Sequence, residues 1–135
     1  LKTKIVDTNL ILRFLTGEPT DQALRVRRLF ESAEKGELIL KISTLVAAEV
    51  VFVLSGRIYG YDRQELSDAL IPFFQSVSLE VEKREIILLA LDLYRRYPID
   101  YVDASLAAES SLTGDAIASF DRGFSKISNV SIKQP

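Results

Sequence analysis

The 135-residue chain predicts an α/β fold, a three-layer α/β/α sandwich around a central parallel sheet of four to five strands. Three observations lead there. Short β-branched or apolar runs alternate with longer segments of helical periodicity. Gly, Pro, Ser and Asp punctuate the transitions between them. No internal repeat, low-complexity tract or linker divides the chain, so a single domain over residues 1–135 is expected. Right-handed crossovers between successive parallel strands would then place helices on both faces of the sheet.

Ile5-Val6 is a β-branched run suited to a buried strand, and Leu10, Ile11, Phe14 and Leu15 fall at helical spacing just beyond it. Gly17-Glu18-Pro19-Thr20 breaks that helix. A second helix runs from about Asp21 to Lys35, with Ala23, Val26, Leu29, Phe30 and Ala33 on one face and Gly36 as its left-handed cap. Leu38 to Ile42 is the second strand. Ser43 or Thr44 caps a helix from Leu45 to Ser55, closed by Gly56. After the loop Tyr59-Gly60-Tyr61-Asp62, Arg63 to Phe74 is helical, and Val77 to Val81 alternates like a half-exposed third strand. Glu82 to Tyr97 is amphipathic through Ile86, Leu89, Ala90, Leu93 and Tyr97, and Pro98 ends it. Asp100 precedes a helix from Tyr101 to Leu112, followed by Gly114. Ala116 to Phe120 is the fourth strand, Asp121-Arg122-Gly123 a turn or short helix, and Val130 to Ile132 an edge strand.

Composition narrows the chemistry. The chain has no Cys, which excludes a thiolate nucleophile, a zinc–cysteine site and a disulfide framework, and makes a cytoplasmic location the expectation. It has no His, which excludes a Ser-His-Asp triad and an imidazole base. Catalysis must then rest on carboxylates, hydroxyls, Lys, Arg, Tyr or a bound metal. No apolar run approaches the roughly 20 residues of a membrane span, so no membrane partner is expected. The net charge of −2 is not the basic field of a non-specific nucleic-acid binder. A phosphate substrate would need a cation or local Arg and Lys.

Four acids stand out. Asp7 lies where the first strand ends and a helix begins, the place where parallel α/β sheets build sites. Glu49 interrupts Leu45-Val46-Ala47-Ala48-Glu49-Val50-Val51-Phe52-Val53-Leu54, a helix apolar on nearly every face and therefore expected to be buried. A buried carboxylate takes up a proton, pairs with a cation such as Arg57, or binds a metal. Asp121 repeats the context of Asp7 after the fourth strand. Asp103, with Asp100, opens a helix whose small residues Ala104, Ser105, Ala107 and Ala108 permit close packing. Each Asp has a local role open to it, as a helix cap or turn former. Thr8 can cap the first helix and leave Asp7 free. Together, four carboxylates converging on a strand-end crevice form a hard oxygen site suited to Mg²⁺ or Mn²⁺, able to activate water for phosphodiester hydrolysis.

Val6-Asp7-Thr8-Asn9, the helix with a single Glu49, Asp100-Tyr101-Val102-Asp103-Ala104 and Ser119-Phe120-Asp121 resemble the PIN domain, and more narrowly the VapC-type toxins of type II toxin–antitoxin systems. The resemblance runs from Ile5 to Ile132 with the motifs in order. It implies a metal-dependent endoribonuclease with Asp7, Glu49, Asp103 and Asp121 as ligands to Mg²⁺ or Mn²⁺. Asp100 matches a less constant acidic position. Thr8 and Asn9 match the polar residues after the first Asp, and Ser119 stands where the family often has Thr. The resemblance also implies an RNA substrate, a homodimer and a cognate VapB-like antitoxin.

Other readings fit less well. A haloacid-dehalogenase-like phosphatase would need an acid where Asn9 stands, and a response-regulator receiver a Lys after a late strand, where this chain has Asp121. A PIN nuclease outside a toxin–antitoxin system is an alternative. So is a non-catalytic interaction module using Leu70, Ile71, Phe73 and Phe74, although core packing explains those residues as well. Among Arg25, Arg27, Arg28, Arg57, Arg95, Arg96 and Arg122, the last borders Asp121 and is the best placed to touch RNA phosphate.

Overall fold

A computed structural model describes all 135 residues. The elements in order are β1 (Lys2–Ile5), α1 (Thr8–Thr16), α2 (Thr20–Glu34), β2 (Leu38–Ile42), α3 (Thr44–Leu54), α4 (Arg63–Gln75), β3 (Leu79–Val81), α5 (Arg84–Arg96), α6 (Tyr101–Thr113), β4 (Ile117–Ala118), a 3₁₀ turn (Arg122–Lys126) and β5 (Ile132–Lys133). The α/β class and the six helices agree with the sequence. No helix is long and apolar enough to cross a membrane.

Every strand pairing is parallel, as strand–helix alternation requires. β2 is the middle strand of a sheet ordered β1-β2-β3, with Lys2 opposite Leu38 and Leu40 opposite Leu79. The expected single sheet of four to five strands is instead divided, because β4 pairs only with β5 in a separate two-stranded sheet. Two features account for this. β4 is two residues long, too short to hold a long ladder. β1 is exposed along its length and carries Lys2 and Lys4, the residue type that blunts open strand edges. The strand also starts earlier than Ile5-Val6, and Ile5 is exposed while Val6 is buried and donates its N–H to the Lys41 carbonyl at 2.9 Å.

One apolar core joins the layers. Phe14, Phe30 and Phe73 stack in a cluster, with Phe14 and Phe30 centroids 4.5 Å apart, and so lock α1, α2 and α4 together. Leu70 and Phe74 are fully buried and Phe73 nearly so, which makes this face core and not an interaction surface. Ala104, Ala107 and Ala108 are fully buried, and their small side chains let α6 lie close along α5.

Polar clamps fix the helix ends that matter for the site. Arg63 Nη1 donates to the carbonyls of Tyr94 (2.8 Å), Tyr97 (3.0 Å) and Ile99 (2.6 Å), and the guanidinium lies 4.2 Å over the Tyr94 ring. Its charge meets the negative end of α5 and fixes the chain just before Asp100. Contacts of this kind contribute on the order of 1.5–3 kcal/mol for each well-formed charged hydrogen bond. At the start of α3, Ser43 accepts from the Val46 N–H, while Glu82 accepts from both the Thr44 N–H (3.1 Å) and its hydroxyl (2.8 Å). The backbone N–H of Thr44, and then its hydroxyl, holds the Glu82 carboxyl below the usual carboxylate range. Glu82 is thereby drawn out of the helix the sequence placed it in, and α5 starts at Arg84 after Lys83 in the left-handed region at φ 50°.

Candidate active site

Asp7 follows β1 directly and is the N-cap of α1. Its Oδ1 accepts from the Leu10 N–H at 3.2 Å. Thr8 is buried, and its hydroxyl donates to Glu49 Oε1, so the roles of cap and free side chain are the reverse of those expected from sequence. The physical reason is the backbone. Asp7 has the extended conformation of a cap, with φ −91° and ψ 167°, whereas Thr8 is already inside the first turn with its side chain turned toward α3.

Glu49 is exposed, not buried. α3 is apolar all round, but Leu45, Glu49 and Phe52 share its outward face, and Leu45 and Phe52 are 80% and 79% exposed. Hydrophobicity on every face therefore reports a surface open to solvent in a single chain. Glu49 has no ion pair: the salt bridges of the chain join Arg95 and Arg96 to Asp92. The Thr8 hydroxyl is its partner, which ties α1 to α3.

The second group lies at the start of α6 and the end of β4. Asp100 caps α6, with Oδ1 accepting from the Asp103 N–H at 2.8 Å. Asp121 caps the 3₁₀ turn, accepting from the Gly123 N–H at 2.8 Å, and its own N–H donates to the Ser119 hydroxyl at 2.9 Å. Ser119 thus shapes the Asp121 turn. Burial raises the Asp103 carboxyl above its ordinary value of 3.8, and the charges of Asp100 and Asp121 raise it further. Asp100 and Asp121 each stand close enough to repel the Asp103 carboxylate. Arg122, next to Asp121, is exposed, as is Asn9 in the first turn of α1. Burial pushes the Tyr101 hydroxyl up to about 12, so it stays protonated and is no base.

The acids thus form two groups, Asp7 with Thr8 and Glu49, and Asp100 with Asp103 and Asp121. α3 packs against both α1 and α6 and lies between the groups in the packing order. No three carboxylates stand close enough to share one ion, so the convergence expected from topology is incomplete in this arrangement. The donor chemistry does suit a hard cation. Asp7, Asp100 and Asp121 each use one oxygen for a local hydrogen bond, Glu49 uses one for the Thr8 hydroxyl across to α1, and the Asp103 carboxylate accepts none. Sequence reasoning missed two contributors, Glu82 as the anchor of α3 and Arg13 beside Asn9. The signal for Arg13 was its spacing of four residues from Asn9 on one helix face.

The profile of the PIN domain matches residues 4–130. The chain belongs to the PIN domain family. It is also 25% identical over 126 residues to the VapC ribonuclease of Aquifex aeolicus (strain VF5), an alignment covering 92% of this chain and 91% of that protein.

An acid whose pKa is higher in the fold than in the unfolded chain opposes folding once it ionises. Stability is undiminished below the ordinary value, falls as pH rises through the raised one, and stays lowered at neutral pH. Asp103→Asn is accordingly expected to raise the melting temperature at neutral pH and leave it unchanged in acid below the ordinary carboxylate range. Calorimetric melts at the two pH values check this, and a variant less stable at neutral pH would contradict the crowding of these acids.

Proposed function

We propose that the chain is an endoribonuclease that hydrolyses RNA phosphodiesters with a divalent cation, Mg²⁺ or Mn²⁺, and serves as the toxin of a toxin–antitoxin pair with a VapB-like partner. The observation that carries this reading is the near full-length likeness to a VapC ribonuclease, in a chain whose match to the PIN domain spans residues 4–130. In it, Asp7, Glu49, Asp103 and Asp121 would hold the cation once it draws the two groups together, with Asp100 as an auxiliary acid. The bound cation would supply Lewis acidity and lower the pKa of a water molecule.

The chain's own residues orient and hold. The Thr8 hydroxyl aims Glu49, and the helix N-termini hold one oxygen each of Asp7, Asp100 and Asp121. Asp103, with a raised pKa and no hydrogen-bond partner, is the acid with most to gain from a cation. No His is present to activate a ribose 2′-hydroxyl, which favours attack by water. Cleavage should then leave a 5′-phosphate and a 3′-hydroxyl, and Glu49→Gln should lower the rate by at least about a hundredfold, the scale of a lost catalytic group. End-group analysis of cleaved RNA checks the first and a cleavage time course the second, and 2′,3′-cyclic phosphate ends would overturn the mechanism.

The reading includes a homodimer. Leu45 and Phe52 on α3 and Val102 and Leu106 on α6 are exposed apolar side chains, and Phe52 and Val102 line one cleft. Large apolar surface of this kind marks an association face. Light scattering should give twice the chain mass for the wild type and the single mass for Phe52→Asp. A wild-type monomer at all concentrations would remove the dimer from the account.

A further inference from the structure

A cavity of about 460 Å³ opens between α1 and α2, apart from the acidic groups but sharing a helix with one of them. Asn9, Leu10, Arg13, Gln22, Arg25 and Leu29 line it. Arg13 is half-buried and held by neutral groups. Its Nε donates to the Gln22 side-chain oxygen, and Nη1 donates to the Asn9 carbonyl at 3.3 Å. No carboxylate pairs with Arg13 or Arg25, since the chain's ion pairs lie at Asp92.

A guanidinium positioned by neutral acceptors keeps its full charge for a ligand. Its planar fork is already oriented, so less side-chain freedom is lost when it meets two oxygens of a phosphate. Leu10 and Leu29 add apolar surface of the kind a ribose or base can lie against. The cavity also has a defined relation to the acids. Asn9 is two residues past Asp7, and Arg13 six residues past it, or about 9 Å of helix rise. Arg13 and Arg25 thus put one cation on α1, the helix that Asp7 caps, and one on the neighbouring α2, in a chain whose net charge of −2 otherwise repels RNA.

We infer that this cavity binds a backbone phosphate of the RNA next to the bond to be cleaved, with Arg13 as the oriented donor and Arg25 as the second cation. The assignment rests on the ribonuclease reading and adds a substrate-binding site that the acidic residues do not provide.

The test is fluorescence anisotropy with a labelled short single-stranded RNA of mixed sequence, in EDTA, over a series of potassium chloride concentrations. The proteins are wild type, R13Q, R25Q, the double variant, R13K and the remote control R95Q, each checked for folding by circular dichroism. Each Gln variant should bind several-fold more weakly and the double variant at least about tenfold. The slope of log affinity against log salt should shrink by roughly 0.7 for each arginine lost, the value for one phosphate contact in a single strand. R13K should keep the slope yet lose affinity, because charge remains and the fork does not. R95Q should match the wild type.

A double variant with wild-type affinity and slope would overturn the assignment. So would weaker binding of the Gln variants at unchanged slope, which marks a structural effect. Loss of affinity for a short polyglutamate peptide with RNA binding intact would make the cavity a protein-carboxylate site and overturn it too. If the wild type cleaves RNA while the variants bind normally, only the cavity assignment fails. If the wild type neither binds nor cleaves RNA, the ribonuclease reading fails with it.

Discussion

Exposing carboxylates at the turns of a small acidic domain is costly, and the fold meets this cost at its helix starts. Asp7, Asp100 and Asp121 each accept a backbone N–H at the start of a helix or 3₁₀ turn. Those N–H groups have no partner within the helix, and at α1 and α6 they carry the positive end of the dipole. The same contacts therefore begin the local structure and hold the carboxylates. What they leave uncompensated appears on Asp103, whose carboxyl is raised first by burial and then by Asp100 and Asp121. That residual repulsion is the state a hard cation would relieve.

The remaining architecture positions these starts. The parallel pairing of β1 and β2 brings the end of β1 beside the end of β2, so Asp7 and the beginning of α3 emerge on one edge. Glu82, at the end of β3, grips Thr44 and fixes α3 to that edge. Thr8 then spans from α1 to Glu49. On the other side, Arg63 secures the end of α5 and the segment leading into Asp100, and the buried alanines of α6 set how closely it approaches α5. Two acidic groups on separate supports result, with α3 packed between their helices.

Much of this was legible in the sequence because capping and periodicity are local. Asp7, Asp100 and Asp121 announce helix or turn starts by residue type, and Gly17, Gly36 and Gly114 mark ends at positive φ. The α/β class followed from alternation alone. The misses are all long-range. Whether Glu49 is buried depends on what covers the Leu45 and Phe52 face, and hydrophobicity does not say whether that cover is the same chain. The choice between Asp7 and Thr8 as cap depends on Thr8 finding Glu49, 41 residues away. The division of the sheet depends on a two-residue β4 and a lysine-bearing β1 edge, both weak signals beside a strong alternation. Arg13 went unseen because its value lies in neutral partners, one of which, Gln22, belongs to another helix.

The two acidic groups stand apart in the chain alone, and the proposed function requires them to close on one hard cation. Electron paramagnetic resonance of free Mn²⁺ in the presence of the protein measures this directly, without reference to RNA. Saturable loss of the free-ion signal is expected, competed by Mg²⁺ and greatly weakened in an Asp7→Asn/Asp103→Asn variant that removes one acid from each group. A free-ion signal unchanged by the wild-type protein, or equal uptake by wild type and variant, would contradict it.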